Sequence, residues 1–137
     1  MDIKKIKKDS AKLAEGVWVK DIPDMGDLRL LVRGMSAPIV RDTRSRLERA
    51  VPAEERNRDG TLQSAAAMRI MGELALEAIL LDWDGLSDDG KPVEYKKALA
   101  REWLTNPDYE SFLDAVVWAA RVVERDTAET QEAVAGN

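Results

Sequence analysis

Beyond Gly34, four segments repeat apolar side chains with the three-to-four-residue period of a helix, while the segment before them alternates as a strand does. Val40, Thr43, Leu47 and Val51 predict a first helix from 37 to about Ala50. Ser36 is placed to cap it and Pro38 to occupy its first turn, where no intrahelical amide bond is lost. A second helix is predicted from Thr61 to about Leu81. It is apolar around most of its circumference, with a charged stripe through Arg69, Glu73 and Glu77. Tyr95, Ala98, Leu99 and Trp103 share a face of a third helix over about Glu94–Thr105. Asn106-Pro107-Asp108 then stops that helix and starts the fourth, whose stripe runs through Tyr109, Phe112, Leu113, Val116, Val117, Ala120 and Val123 to about Asp126.

The alternating segment reads as a hairpin. Val17, Trp18 and Val19 favour a strand, Asp24-Met25-Gly26-Asp27 is rich in turn formers, and Leu28, Leu30 and Val32 alternate with Arg29, Leu31 and Arg33. Strands over about 16–22 and 27–34 follow. A lone hairpin is marginal in water, so its apolar face must rest on the helices. The expected fold is α+β and mainly α: a β-hairpin (16–35) packed on a bundle of about four helices (37–126), forming one globular domain over 16–126. Residues 1–15, with Ile3, Ile6 and Leu13 at loosely helical spacing, form a short helix or an arm. The stretch 127–137 has little to bury and is expected to be a flexible tail.

Composition narrows the chemistry. The 137 residues include neither cysteine nor histidine, so the chain alone builds no disulfide, Cys/His zinc site, thiolate nucleophile or Ser-His-Asp triad. No apolar run is long enough for a transmembrane helix, and the lysine-rich start lacks the apolar stretch of a signal peptide, so a soluble intracellular protein is expected. The net charge of −5 is uneven. Residues 1–20 hold six basic and three acidic side chains, residues 21–72 nine and eight, and residues 73–137 six and fifteen. An acidic C-terminal half repels phosphate backbones, so a nucleic-acid partner is disfavoured. The arginines between Arg41 and Arg58 supply the alternative of a small DNA-associated regulator, although Asp42, Glu48, Glu54, Glu55 and Asp59 lie among them.

Few residues carry candidate chemistry. Asp82, Asp84, Asp88 and Asp89 would suit a hard cation, but no register of the segment satisfies a calcium loop: starting at Asp82 or at Asp84 puts Leu86 at a ligand position. A turn whose Asp side chains bond nearby amides fits better. G-x-S at Gly34–Ser36 lacks the second glycine of a nucleophile elbow and has no histidine base. No phosphate-binding or dinucleotide glycine pattern is present. No cofactor, no metal and no enzymatic activity are expected. Trp118 instead lies opposite the apolar stripe of the fourth helix and shares that side with Arg121 and Arg125, a combination favoured at interfaces. Trp83 is a second candidate anchor, or a plug for the end of the core. Gly72 would let a neighbouring backbone come close to the second helix.

The order of these features carries a resemblance. A β-rich start around Gly16-Val17-Trp18-Val19, a helical middle, Trp83-Asp84-Gly85-Leu86, then Asp89-Gly90-Lys91-Pro92-Val93 with Tyr95, and a last helix started by Asn106-Pro107 resemble the tail assembly chaperones of long-tailed phages and prophages. The similarity spans about residues 16–125, and W-D-G-L…D-G-K-P-V-x-Y is its most specific part. The resemblance implies a non-enzymatic helper that binds the tape-measure protein and keeps its helices soluble until tube subunits polymerise around it. It also implies a longer frameshift product that recruits the tail-tube protein, possible self-association, and action in the host cytoplasm without incorporation into the finished virion.

Overall fold

The computed structural model describes the backbone of residues 1–136 and the side-chain surroundings of residues 1–126. The fold is α+β and mainly helical. Five helices, α1 (Ser10–Glu15), α2 (Pro38–Arg49), α3 (Ser64–Leu74), α4 (Lys97–Leu104) and α5 (Glu110–Gly136), accompany a three-stranded antiparallel sheet and a small hairpin. The expected tail 127–137 lies outside the residues whose side chains are described.

The predicted hairpin forms, with β1 (Val17–Val19) against β2 (Arg29–Val32) and Trp18 opposite Leu31. The valines of β1 and Leu30 and Val32 of β2 face inward, and Val19, Leu30 and Val32 are buried. The support under them is α5, where Val116, Ala119, Ala120 and Val123 are buried. Alanines at 119 and 120 keep this face shallow, so the helix lies close to the sheet.

The predicted second helix is corrected. It ends at Leu74, passes through a π-helical turn at Ala75–Ile79, and continues as β3 (Leu80–Asp84), which completes the sheet in the order β1-β2-β3. Leu80 and Leu81 therefore belong to a strand. The apolar run from Leu80 to Trp83 suits a buried strand as well as a helix, and periodicity alone does not separate the two. What decides is the second edge of β2, whose backbone groups need partners. Leu30 pairs with Trp83 and Leu31 with Asp82, and a bulge falls before Val32 meets Leu80.

A second correction concerns Ser36. It does not cap α2: Ala37 is the N-cap residue and makes no side-chain cap bond, while Pro38 takes the first turn as expected. The Ser36 amide (2.6 Å) and hydroxyl (2.8 Å) instead donate to the Glu124 carboxylate of α5. Glu124 thus ties the last helix to the strand-to-helix connection. On the other side of that connection, Arg33 donates to the carbonyls of Ala14 (2.8 Å) and Ala78 (3.0 Å), joining α1 and the π turn to the end of β2. Asn106 caps as predicted, accepting from the Asp108 amide at 3.0 Å.

The predicted acidic loop is also more ordered than a loop. Beyond β3, Ser87–Asp88 (β4) and Lys91–Pro92 (β5) pair around Asp89-Gly90, whose φ values of 47° and 80° suit the primed turn that joins tight hairpins.

Candidate partner-binding surface

The four tryptophans divide between two ends of the molecule. At one end Trp83 is only 4% exposed, so it fills the core rather than standing on the surface. Its ring lies 4.9 Å from Tyr95, 5.2 Å from Trp103 and 5.9 Å from Phe112, in edge-on and stacked arrangements that add to the area each ring buries. The indole N–H donates to the Val93 carbonyl at 2.8 Å, and the Trp83 amide donates to the Asp82 carboxylate at 2.8 Å. Gly85, at φ 83°, passes so close to the Asp27 carbonyl that a Cβ would collide with it. Burial, with the Asp82 charge adding to it, raises the Tyr95 hydroxyl above its ordinary pKa. Trp83, Leu86, Val93 and Tyr95 of W-D-G-L…D-G-K-P-V-x-Y therefore close one end of the core, while its Asp, Gly, Lys and Pro residues are exposed.

Gly72 is likewise used inside the chain. It is buried where α3 crosses the end of α4, and a Cβ there would collide with the Leu104 carbonyl. The close approach expected at Gly72 is thus made by α4.

The other end is open. Trp18 is 44% exposed on the outer face of the sheet, with the Arg29 guanidinium 5.5 Å from its ring centre, and Arg29 also pairs with Asp84 across β2 and β3. That pairing lowers the Asp84 carboxyl below its ordinary pKa. Trp118 packs half-buried between two hollows, one beneath the β1–β2 connection at Ile22 and Met25, the other beside β1. This second hollow, about 410 Å³, runs along β1 between Trp18 and Trp118; Lys12, Lys20 and Arg125 line it together with Asp21 and Asp126. Arg125 approaches Asp126 at 3.3 Å, and Arg121 is exposed one turn from Trp118.

The backbone direction along β1 follows from the ladder. The Arg33 amide donates to Ile79 on the β3 side and the Gly34 amide to Leu13 on the β1 side. Alternation then turns the Leu30 and Val32 amides toward Val19 and Val17, and the Trp18 amide and carbonyl away from β2 into the hollow. Sequence reasoning singled out Trp118 and missed Trp18, Lys12 and Lys20. Alternation carried a usable signal, since it sets Trp18 on the face opposite its two valines.

Two other constellations were singled out in the sequence, the acidic loop and the arginines between Arg41 and Arg58. Among the described residues no group of three acidic side chains is placed to hold a metal ion. Of the arginines between Arg41 and Arg58, Arg44 pairs with Glu48 at 3.0 Å, Arg46 with Glu77, and Arg56 donates to the carbonyls of Glu48, Val51 and Gly60, while Arg41, Arg49 and Arg58 are exposed. No helix among the described residues is long and apolar enough to cross a membrane.

A protein-family model described as YdaY prophage protein matches residues 35–137. The chain belongs to this family. No curated protein and no solved structure matches it. The YdaY match starts at Met35, just after β2, and so takes in the whole aromatic end. The Trp18 side of the open edge precedes it, while Trp118 and the rest of α5 fall within it.

Proposed function

We propose that this YdaY prophage protein is a non-enzymatic tail assembly chaperone that binds the tape-measure protein reversibly and keeps it in solution during tail morphogenesis in the host cytoplasm. The observation that carries the reading is an exposed sheet edge flanked by two tryptophans, Trp18 and Trp118, on a chain of a prophage family. Aromatic side chains beside unused backbone donors and acceptors suit polypeptide recognition. The resemblance of W-D-G-L…D-G-K-P-V-x-Y to tail assembly chaperones supports the same role. Recruitment of the tail-tube protein through a longer frameshift product, and absence from the finished virion, belong to this proposal.

The test is co-expression with the tape-measure protein of the same prophage. The expected result is a soluble tape-measure protein that co-elutes with this chain on a sizing column. Aggregation of the tape-measure protein to the same extent with and without this chain overturns the proposal.

A further inference from the structure

Three places on the surface are candidates for a further role. The hollow between α3 and the α4–α5 connection is apolar, with Met68 48% exposed beside Leu104 and Pro107, but nothing around it selects an occupant. The groove beside β3 is lined by Asp82, Asp84 and Glu94, yet the Trp83 amide on that edge is already taken by Asp82 and the Asp84 carboxylate by Arg29. The β1 edge differs from both, because backbone direction, side-chain chemistry and charge there agree.

We propose that the open edge of β1, between the Trp18 and Trp118 indoles, takes an extended segment of alternating apolar and acidic residues from the client polypeptide as a fourth strand of the sheet. This rests on the chaperone reading above and specifies the client segment it would hold.

The backbone supplies the template. Trp18 presents its N–H and C=O away from β2, and an added strand engages both without disturbing the β1–β2 ladder. An alternating strand there turns its apolar side chains to the inner side, against Trp118 and Val122 of α5, and its acidic ones to the outer side, beside Trp18. Charge selects the remaining side chains. Lys12, Lys20 and Arg125 line the groove against Asp21 and Asp126, so its charged lining is basic by one side chain. With six lysines against three acids in residues 1–20, this is the basic part of a protein of net charge −5. An acidic client strand is attracted here and repelled by the rest of the surface.

The probes are two end-capped octapeptides, one alternating valine and glutamate and the other valine and lysine, titrated into the full chain and followed by NMR. The expected result is saturable binding of the valine–glutamate peptide, shifts of the Trp18 and Trp118 indole signals, and slowed exchange of the Trp18 amide. The valine–lysine peptide should bind about tenfold more weakly or not at all. Lys20→Glu, an exposed substitution, should remove that preference. Trp18→Ala removes the indole alone and should only weaken binding, whereas Trp18→Pro removes in addition the amide that points away from β2 and should abolish binding of either peptide. Equal response to both peptides, a gain of peptide helicity on binding, or shifts confined to another surface overturns the proposal. Co-expression separates the two levels. If the parent chain and Lys20→Glu solubilise the tape-measure protein equally, the β1 groove is wrong and the chaperone role stands. If the parent chain fails to solubilise it, the chaperone role falls whatever the peptides do.

Discussion

Trp83 and Trp18 occupy the two outer strands of one sheet with opposite consequences. Trp83 faces inward, surrounded by Tyr95, Trp103 and Phe112, with its N–H satisfied by Val93. Trp18 faces outward, with only a guanidinium beside its ring and its backbone turned to an open groove. The difference lies in strand parity and in the position of each strand. Both strands are edges, but Trp83 lies on the inner face of β3, against Trp103 of α4 and Phe112 of α5, whereas Trp18 lies on the outer face of β1 toward solvent. One end of the molecule thus spends its aromatic residues on stability and the other leaves them accessible.

The sharpest way to break this contrast is to truncate both indoles. Trp83→Ala removes the centre of the aromatic cluster and orphans the Val93 carbonyl, and a loss of about 3–5 kcal/mol in urea unfolding is expected. Trp18→Ala removes a half-exposed ring and a surface cation contact, so its cost should stay within about 1 kcal/mol. Equal losses would mean that the open edge is structural too.

Gly72→Ala tests whether the closed end tolerates any added volume. Alanine favours a helix interior over glycine by about 1 kcal/mol. The new Cβ, however, meets the Leu104 carbonyl, which is backbone and has little freedom to move. Overpacking of this kind costs about 1–3 kcal/mol, so a net loss of about 1 kcal/mol in the same assay is expected. A gain in stability would show that α3 and α4 separate easily and that Gly72 is free to receive another chain.

Much of the fold was legible because local signals were strong. Pro38 and Pro107 start helices, Asn106 caps, and the β1–β2 alternation gave the correct inner face. Three features were not legible, each for a non-local reason. Leu80–Asp84 becomes a strand only because β2 has a second edge to satisfy, and Ser36 abandons capping because Glu124, far along the chain, offers it a carboxylate. Gly72 and Trp83 were singled out by residue type, but what surrounds them, α4 at the one and three aromatic rings at the other, depends on helix packing that periodicity does not specify. The candidate surface was legible only on its α5 side, through Trp118 and Arg125, since the groove exists only where β1 and α5 are brought side by side.

A smaller effect comes from Tyr95. Its hydroxyl pKa is raised in the folded protein, chiefly by burial and also by Asp82. The folded state therefore holds this proton more tightly than the unfolded state does. The stability it contributes is complete below the unfolded tyrosine pKa, about 10, and is lost as pH rises through the folded value. Tyr95→Phe should flatten that alkaline limb of the unfolding curve. Identical alkaline limbs for the parent protein and Tyr95→Phe would show the hydroxyl to be fully hydrated and the closed end less closed.

The smallest effect is expected on the open face, where Arg29 serves two partners at once. It lies against the Trp18 ring and pairs with Asp84, and the pairing keeps the Asp84 carboxyl below its ordinary range. The Arg29 side chain is 50% exposed and that of Asp84 58%, so water and salt screen the interaction. Because the folded pKa is depressed, the pair's contribution is present above the unfolded value and fades as pH falls through the folded one. Arg29→Ala should move the Asp84 titration, read by NMR of its carboxyl carbon, upward toward the ordinary aspartate range, with almost no change in the urea midpoint. Trp18 then loses the cation over one side of its ring but keeps its backbone edge. If the edge is what receives a strand, peptide binding survives Arg29→Ala almost unchanged. Loss of binding would instead assign recognition to the outer sheet face around Trp18 and Arg29.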